Sequence, residues 1–358
     1  MAYTTIDDAT IYFSTTLYTG NGQQNRAVTI DGTGMQPNML WIKSRSLGEG
    51  HVLADSVRGA TKRVIPNSSD AEATSATNIA SFTSTGFTVA NGGVDGAVNQ
   101  NNATYCSWAW KTDTSFTNDA SGTGIGTIDS TGSFSNDSGL SVVTYTGTGS
   151  NGTIKHGLNS IPKIVFWKRL DNAAGAVNWI VQSTILGNQT KLVLNNTEAV
   201  STNSSFSQTN NWTSALLDLK NYEGQNASNG TYVAYCFAEK QGFSNIRSYT
   251  GNGNADGPFV FTGLKPAYIL FKKASSGTGE WFLYDNKRLG FNVTEKVFEA
   301  NTGSAEDSNS ATHIDFLSNG FKIRGTGGNT NSNGVTYIYT AFAENPFVSS
   351  GSIPGCAR

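Results

Sequence analysis

The sequence predicts an all-β protein made of three tandem antiparallel β-sandwiches, of jelly-roll or lectin-like type, related by an internal repeat. Composition is the first observation behind this. Gly accounts for 40 of 358 residues and Asp, Glu, Lys and Arg together for only 14%. Ser, Thr and Asn are abundant, so strong helix formers are few while turn formers and β-branched residues are many. The second observation is a segment that occurs three times, at Tyr105–Lys111, Tyr232–Lys240 and Tyr337–Asn345. Read with period two, Tyr105, Ser107 and Ala109 face one way and Cys106, Trp108 and Trp110 the other. Both faces carry apolar or aromatic groups, the signature of a strand covered on both sides.

The third observation is a set of landmarks recurring in the same order. Tyr-Thr-Gly opens each copy, at Tyr18, Tyr145 and Tyr249. Pro37, Pro162 and Pro266 each stand six residues before Lys43, Lys168 and Lys272 across an apolar run. The openings are 127 residues (145 − 18) and 104 residues (249 − 145) apart. That period is too long for a solenoid and suits small domains.

Taken in order, residues 1–16 read as an N-terminal attachment segment or a first edge strand. The first sandwich covers 17–112. Arg26–Ile30 alternates before the turn signal Asp31-Gly32, Met39–Lys43 is a central strand, and His51–Asp55 is its neighbour. Phe82 and Phe87 flank a hairpin turn at Thr85-Gly86. Residues 113–139 are Thr, Ser, Asp, Asn and Gly with isolated Phe116, Ile125, Ile128 and Phe134, which reads as a linker.

The second sandwich, 140–241, carries Ile164–Lys168 and Lys191–Leu194. It runs through Gln241-Gly242 into the third, 242–345, so these two are expected to form a rigid pair with the first more loosely tied. The third carries Tyr268–Lys272, Glu280–Asp285 and Phe321–Ile323. A tail, 346–358, with Pro346 and Pro354 is expected to be extended or mobile.

The net charge of −2 provides no basic patch for nucleic acid. No run approaches the roughly 20 apolar residues of a membrane helix, so no membrane insertion is expected. The first thirteen residues contain Asp7 and Asp8 and no apolar core, unlike a secretory signal, which implies synthesis in a host cytoplasm. Cys106, Cys236 and Cys356 are widely spaced without a CxxC, and the first two sit in expected strands as buried free thiols.

No catalytic, cofactor or metal site is read from the residues, and the chain is expected not to be an enzyme. Gly147–Gly152 matches GxGxxG, but Thr153-Ile154-Lys155-His156 has no helical period, so a Gly-rich turn accounts for it. His51, His156 and His313 fall at non-equivalent places. The carboxylates Glu198, Glu223, Glu295, Glu299, Glu306 and Asp307 form no replicated pair for glycoside hydrolysis.

Asp55 with Arg58 and Asp285 with Arg288 occupy matching places in the outer copies, while the middle copy has Gln182 with no basic residue three further on. Such pairs tie a strand end to its loop, or present a carboxylate and a guanidinium to sugar hydroxyls. With Trp281 and Trp212, which are either core or sugar-stacking rings, these four are the candidate glycan contacts. The Asn- and Gly-rich loops 91–104, 221–230 and 325–335 lead into the repeated strand, at one end of each sandwich, where recognition commonly sits.

Several motifs resemble a family of virion structural proteins, described as tail-fibre-like, from tailed bacteriophages of marine bacteria. They are Met1–Ile6, Trp41–Arg45 with Asp55–Lys62, Tyr232–Lys240, and Ala341–Phe347 before the C-terminal Ala357-Arg358. The resemblance implies a tail fibre or appendage on the virion, contributing to recognition of host-surface glycans, with other virion proteins as partners and a homotrimer by analogy with fibres. A capsid decoration or tail adaptor with a packing role is the alternative, and a polysaccharide depolymerase a third. The family supplies no catalytic residues.

Overall fold

The computed structural model describes residues 3–90, 96–173 and 175–354. The fold is all-β, as the composition predicts. The first unit comprises β1 (Phe13–Thr19), β2 (Arg26–Thr29), β3 (Met39–Ser44), β4 (Val52–Asp55), β5 (Lys62–Val64), β6 (Ala73–Thr74), β7 (Ile79–Thr83), β8 (Gly86–Val89) and β9 (Thr104–Trp110). There follow β10 (Thr114–Asn118), the one-turn helix α1 (Ala120–Thr123) and β11 (Ser130–Ser135). The second unit has β12 (Leu140–Thr146), β13 (Gly152–Lys155), β14 (Ile164–Arg169), β15 (Ile180–Ser183), β16 (Thr190–Val193), β17 (Ser201–Thr202), β18 (Leu216–Leu219) and β19 (Thr231–Phe237). The third has β20 (Ser244–Thr250), β21 (Phe259–Phe261), β22 (Leu264–Lys273), β23 (Trp281–Asp285), β24 (Lys296–Glu299), β25 (Asp307–Ser308), β26 (Ile314–Leu317), β27 (Gly320–Ile323), the short helix α2 (Gly328–Asn331) and β28 (Thr336–Pro346).

Each unit has one large antiparallel sheet, ordered β1-β9-β3-β4-β5-β6, β12-β19-β14-β15-β16-β17 and β20-β28-β22-β23-β24-β25. A small sheet lies outside each: β2-β8-β7, β13-β18 and β21-β27-β26. The thrice-occurring segment is β9, β19 and β28, always between the opening strand and the strand that ends near the lysine. One of its faces meets the small sheet: Tyr105 and Ala109 pack with Val28 and Phe87, and Ala234 packs with Ile154 and Leu217.

The other face meets the other units. A single hydrophobic cluster includes Met39, Trp41, Trp108 and Trp110 of the first unit, Ile164, Phe166, Tyr235 and Phe237 of the second, and Tyr268, Leu270 and Phe342 of the third. Register makes Trp110, Phe237 and Phe342 equivalent, since they pair with Met39, Ile164 and Tyr268, each four residues before its lysine. Their rings touch in all three combinations: 6.3 Å for Trp110–Phe237, 5.6 Å for Phe237–Phe342 and 5.5 Å for Trp110–Phe342. Three equivalent side chains in mutual contact close the units into a ring around a shared aromatic centre. Each such ring pair adds about 0.5–1.5 kcal/mol beyond the area it buries.

The same contact recurs at the three seams. Trp179 Nε1 donates to the Ile65 carbonyl at 2.9 Å, Trp281 Nε1 to the Val193 carbonyl at 2.8 Å, and the His51 ring lies 3.2 Å from the Glu299 carbonyl. Backbone amides repeat the pattern, Val177 donating to Ser69 and Gly279 to Thr197. The three marker lysines are fully buried beside these seams. Lys168 Nζ donates across its seam to the Ser69 carbonyl at 2.7 Å, while Lys43 and Lys272 bond the carbonyls of Leu47 and Gly279. Burial draws each ammonium down to about 8, against a smaller opposing pull from Glu49, Asp70 and Glu280 respectively.

Three expectations are corrected. The first unit is not loosely tied, because it supplies a third of the central rings and two of the three seams. Residues 113–139 are not a linker: β10 and β11 extend the second unit's sheet beyond β12. An edge strand needs only one apolar face, and Phe116 and Phe134 supply it by packing on the second unit's outer core, where Gly132 leaves room for the Phe116 ring. The N-terminal segment is folded down. Ile6 and Ala9 join the central cluster, Tyr3 OH donates to the Gly263 carbonyl, and 13–16 already belong to β1. The tail meets it, with Phe347 edge-on to Tyr3 and Ser350 bonded to Asp7.

Candidate binding site

The side chains of the six residues expected to contact glycan are all buried, five of them at seams. Asp55 and Arg58 close the seam between the first and second units: Arg58 Nε donates to Asp55 Oδ2 at 2.6 Å, and Tyr235 OH donates to the same oxygen at 2.7 Å. Arg58 also reaches Glu72 at 2.8 Å. Asp285 and Arg288 repeat this at the seam between the third and first units. Trp108 Nε1 stands where Tyr235 does and donates to Asp285 Oδ2 at 3.3 Å, and Glu306 stands for Glu72. Burial disfavours both guanidinium charges, but the Asp carboxylates outweigh it and hold Arg58 and Arg288 above their ordinary value. Trp281 is a seam residue, and Trp212 packs on Trp167 in the second unit's outer core. A sugar reaches none of them.

Register opposes Ile164 with Ser183, so Ser183 and not Gln182 is the middle counterpart of Asp55. Around it the whole cluster is exchanged. Leu186 stands for Arg58 and Val200 for Glu72, and both pack against the central cluster. An ion-pair network and an apolar contact therefore fill equivalent places, as expected if desolvation and Coulomb attraction nearly cancel.

The Asn/Gly loops are clasped from inside. Asn99, Asn226 and Asn331 are buried. Each accepts a backbone amide from the turn after the opening strand, from Asn21, Thr148 and Asn252, and donates back to the carbonyls of Gln23, Ser150 and Asn254. The opening tyrosines donate to the loop carbonyls of Val98, Gln225 and Thr330 and stack on Tyr105, Tyr232 and Tyr337 at 5.0, 5.3 and 5.0 Å. The glycine of Tyr-Thr-Gly lies so close to this loop that a Cβ on Gly20 would sit 2.0 Å from the Gln100 carbonyl oxygen. The opening motif is thus a structural lock. Residues 91–95 of the first loop lie outside the described residues.

Gly147–Gly152 forms the turn into β13. His156 is buried with Nε2 at 3.1 Å from the Thr213 carbonyl, and burial lowers it to about 4. Among the described residues no three His, Cys, Asp or Glu side chains are grouped to hold a metal ion. Cys106 and Cys236 are buried free thiols.

Most of the exposed large apolar side chains among the described residues lie on the third unit. Phe259 and Phe261 on β21 are 45% and 56% exposed, on either side of buried Val260. They therefore stand on the outward face of the small sheet about 7 Å apart. Phe261 pairs across to Gly320, which adds no side chain beside its ring, and Phe259 pairs to Lys322. The equivalent places hold Ala27 and Thr29 in the first unit and Thr153 and Lys155 in the second, by the registers to Gly86 and Leu216. That comparison is the sequence signal that would have singled out these rings.

Phe261 also walls a groove of about 560 Å³ shared with Tyr3, Lys163, Glu239, Asn245 and Arg247. Phe261 meets Phe347 edge-on at 6.1 Å, and Phe347 meets Tyr3, so an aromatic corner stiffens that wall. Opposite it, Glu239 Oε1 accepts from Asn245 Nδ2 at 2.7 Å and from Arg247 Nε and Nη2 at 3.1 and 3.0 Å. Asn245 is fixed in turn by Tyr339 OH. The groove thus joins one exposed ring, that of Phe261, to an oriented set of donors and acceptors. Glu239 is the one carboxylate among its lining residues.

No curated protein matches this chain. A domain of unknown function, DUF7483, matches residues 8–346, nearly the whole chain, and the chain belongs to that family.

Proposed function

We propose that this chain is a structural component of a tailed-bacteriophage virion and that its third unit contacts saccharide on the host surface. The resemblance of its motifs to tail-fibre-like proteins supports the setting. The single observation behind the contact is the outward pair Phe259 and Phe261 on a sheet that the shared core holds rigid. Pyranose faces stack on such rings, and the Glu239, Asn245 and Arg247 cluster offers hydroxyl partners beside them. With one carboxylate in the groove, the arrangement favours binding over the two-carboxylate chemistry of glycoside hydrolysis.

The test is binding of the purified chain to defined oligosaccharides and to host cells. Phe259→Ala with Phe261→Ala is expected to reduce binding at least tenfold with an unchanged melting temperature. Undiminished binding by the double variant overturns this reading. Phe291 and Val293, 66% and 38% exposed beside β26, favour a second reading in which the strip docks on another virion protein. In that case the double variant fails to join the particle while the free parent chain ignores glycans.

A further inference from the structure

We infer that the saccharide of this groove is an acidic one, with its carboxylate held between Lys163 and Arg247. The inference rests on the saccharide reading above and narrows it to a class of sugar. Two cationic side chains and one carboxylate line the groove. The carboxylate is already committed, since Arg247 Nε, Arg247 Nη2 and Asn245 Nδ2 all donate to Glu239 Oε1. The Lys163 ammonium has no hydrogen-bond or ion-pair partner among the described residues. Arg247 keeps Nη1 unbonded, with its side chain 64% exposed. The groove therefore carries net positive charge on groups that face solvent.

A carboxylate-bearing ring fits both halves of the site. Its face stacks on Phe261, and its acid group completes the coordination of a guanidinium whose planar fork matches carboxylate geometry. Two other surface grooves have comparable volume: one of about 660 Å³, lined by Thr117, Asp119, Asp129 and Thr144 and by no cation, would repel the same ligand, and one of about 520 Å³ is lined by no charged side chain. Charge therefore selects the first groove.

The experiment titrates the full chain with neutral oligosaccharides, cello- and galacto-oligomers, and with oligogalacturonate and oligomannuronate of equal length. At low salt the acidic set is expected to bind about two- to fivefold more tightly, as for one partly exposed ion pair, and the gap should close as salt rises. Lys163→Gln leaves the Glu239–Arg247 pair in place and is expected to remove most of the preference without changing neutral binding. Arg247→Gln should also remove the preference but weaken neutral binding as well, because Arg247 orients Glu239 in the hydroxyl-binding cluster. Equal affinity for both sets overturns the acidic assignment and leaves the saccharide reading standing. Binding to neither set overturns both.

Discussion

The His51 imidazole spans the seam that closes the ring, with Nε2 3.2 Å from the carbonyl oxygen of Glu299. The two other seams place Trp179 and Trp281 at this point. Trp41 Nε1 donates to Nδ1 of the same ring at 2.8 Å, so Nδ1 is the acceptor and Nε2 carries the proton. One ring thus serves as donor at the seam and acceptor within its own unit, which it can do only while neutral.

This arrangement makes stability depend on acid. Burial lowers His51 from the ordinary value of 6.5 to about 3. Between those values the unfolded chain holds the proton and the folded one does not, so stability is full above pH 6.5 and falls as the pH drops toward 3. Each such histidine contributes a slope of up to about 1.4 kcal/mol per pH unit. His51→Gln is expected to flatten the fall of urea midpoints from pH 6.5 to 4, leaving the smaller part due to His156. An unchanged slope in that variant would exclude His51 as its source.

The ring of Trp110, Phe237 and Phe342 joins all three units, so damage to one should be felt by all. Phe237→Ala is expected to cost about 3–5 kcal/mol and to shift one cooperative calorimetric transition. Two or three separate transitions, with only one displaced, would show that the units melt alone.

The ion-pair cluster at the first seam has an apolar counterpart at the second. Arg58→Leu alone leaves Asp55 buried without its cation, while Glu72 keeps Lys62 at 3.4 Å, and is expected to cost about 3–5 kcal/mol. The triple change Asp55→Ser, Arg58→Leu and Glu72→Val reproduces the Ser183, Leu186 and Val200 set and is expected to cost less than the single change. Chemical denaturation measures both. A triple variant less stable than the single one would mean that the two seams are not interchangeable.

Asn331 joins the loop before β28 to the turn after β20 through both ends of its amide. Asn331→Ala leaves the Asn252 amide without its partner and is expected to cost about 1–3 kcal/mol. Hydrogen exchange should quicken at Asn252 and Asn254 while the amides of β22 keep their protection. Equal acceleration in β22 would place Asn331 in the global core.

Much of the fold was legible in the chain. The apolar and aromatic alternation of Tyr105–Trp110 marks a strand covered twice, and the Pro-to-Lys spacing marks its neighbour. The Tyr-Thr-Gly motif marks where each copy opens, though only the structure shows that its glycine admits no side chain. The site was far less legible. Asp55 and Arg58 read the same three residues apart whether solvent or another unit lies beyond them, and the seam that buries them lies far along the chain, at Tyr235. Phe259 and Phe261 were passed over because two outward rings on a short strand are ordinary until the equivalent places prove to hold Ala, Thr and Lys.

What the sequence determined alone was local: which segments extend, where they turn, and which side chains point together, since period two and the steric freedom of glycine act within a few residues. What covers each apolar face was decided only by the tertiary structure. Trp110, Phe237 and Phe342 meet one another because burial of apolar area is non-directional, and only the closure of the ring chose their partners. The same closure turned four charged residues into seam ties and left the outer sheet of the third unit to face whatever the protein meets.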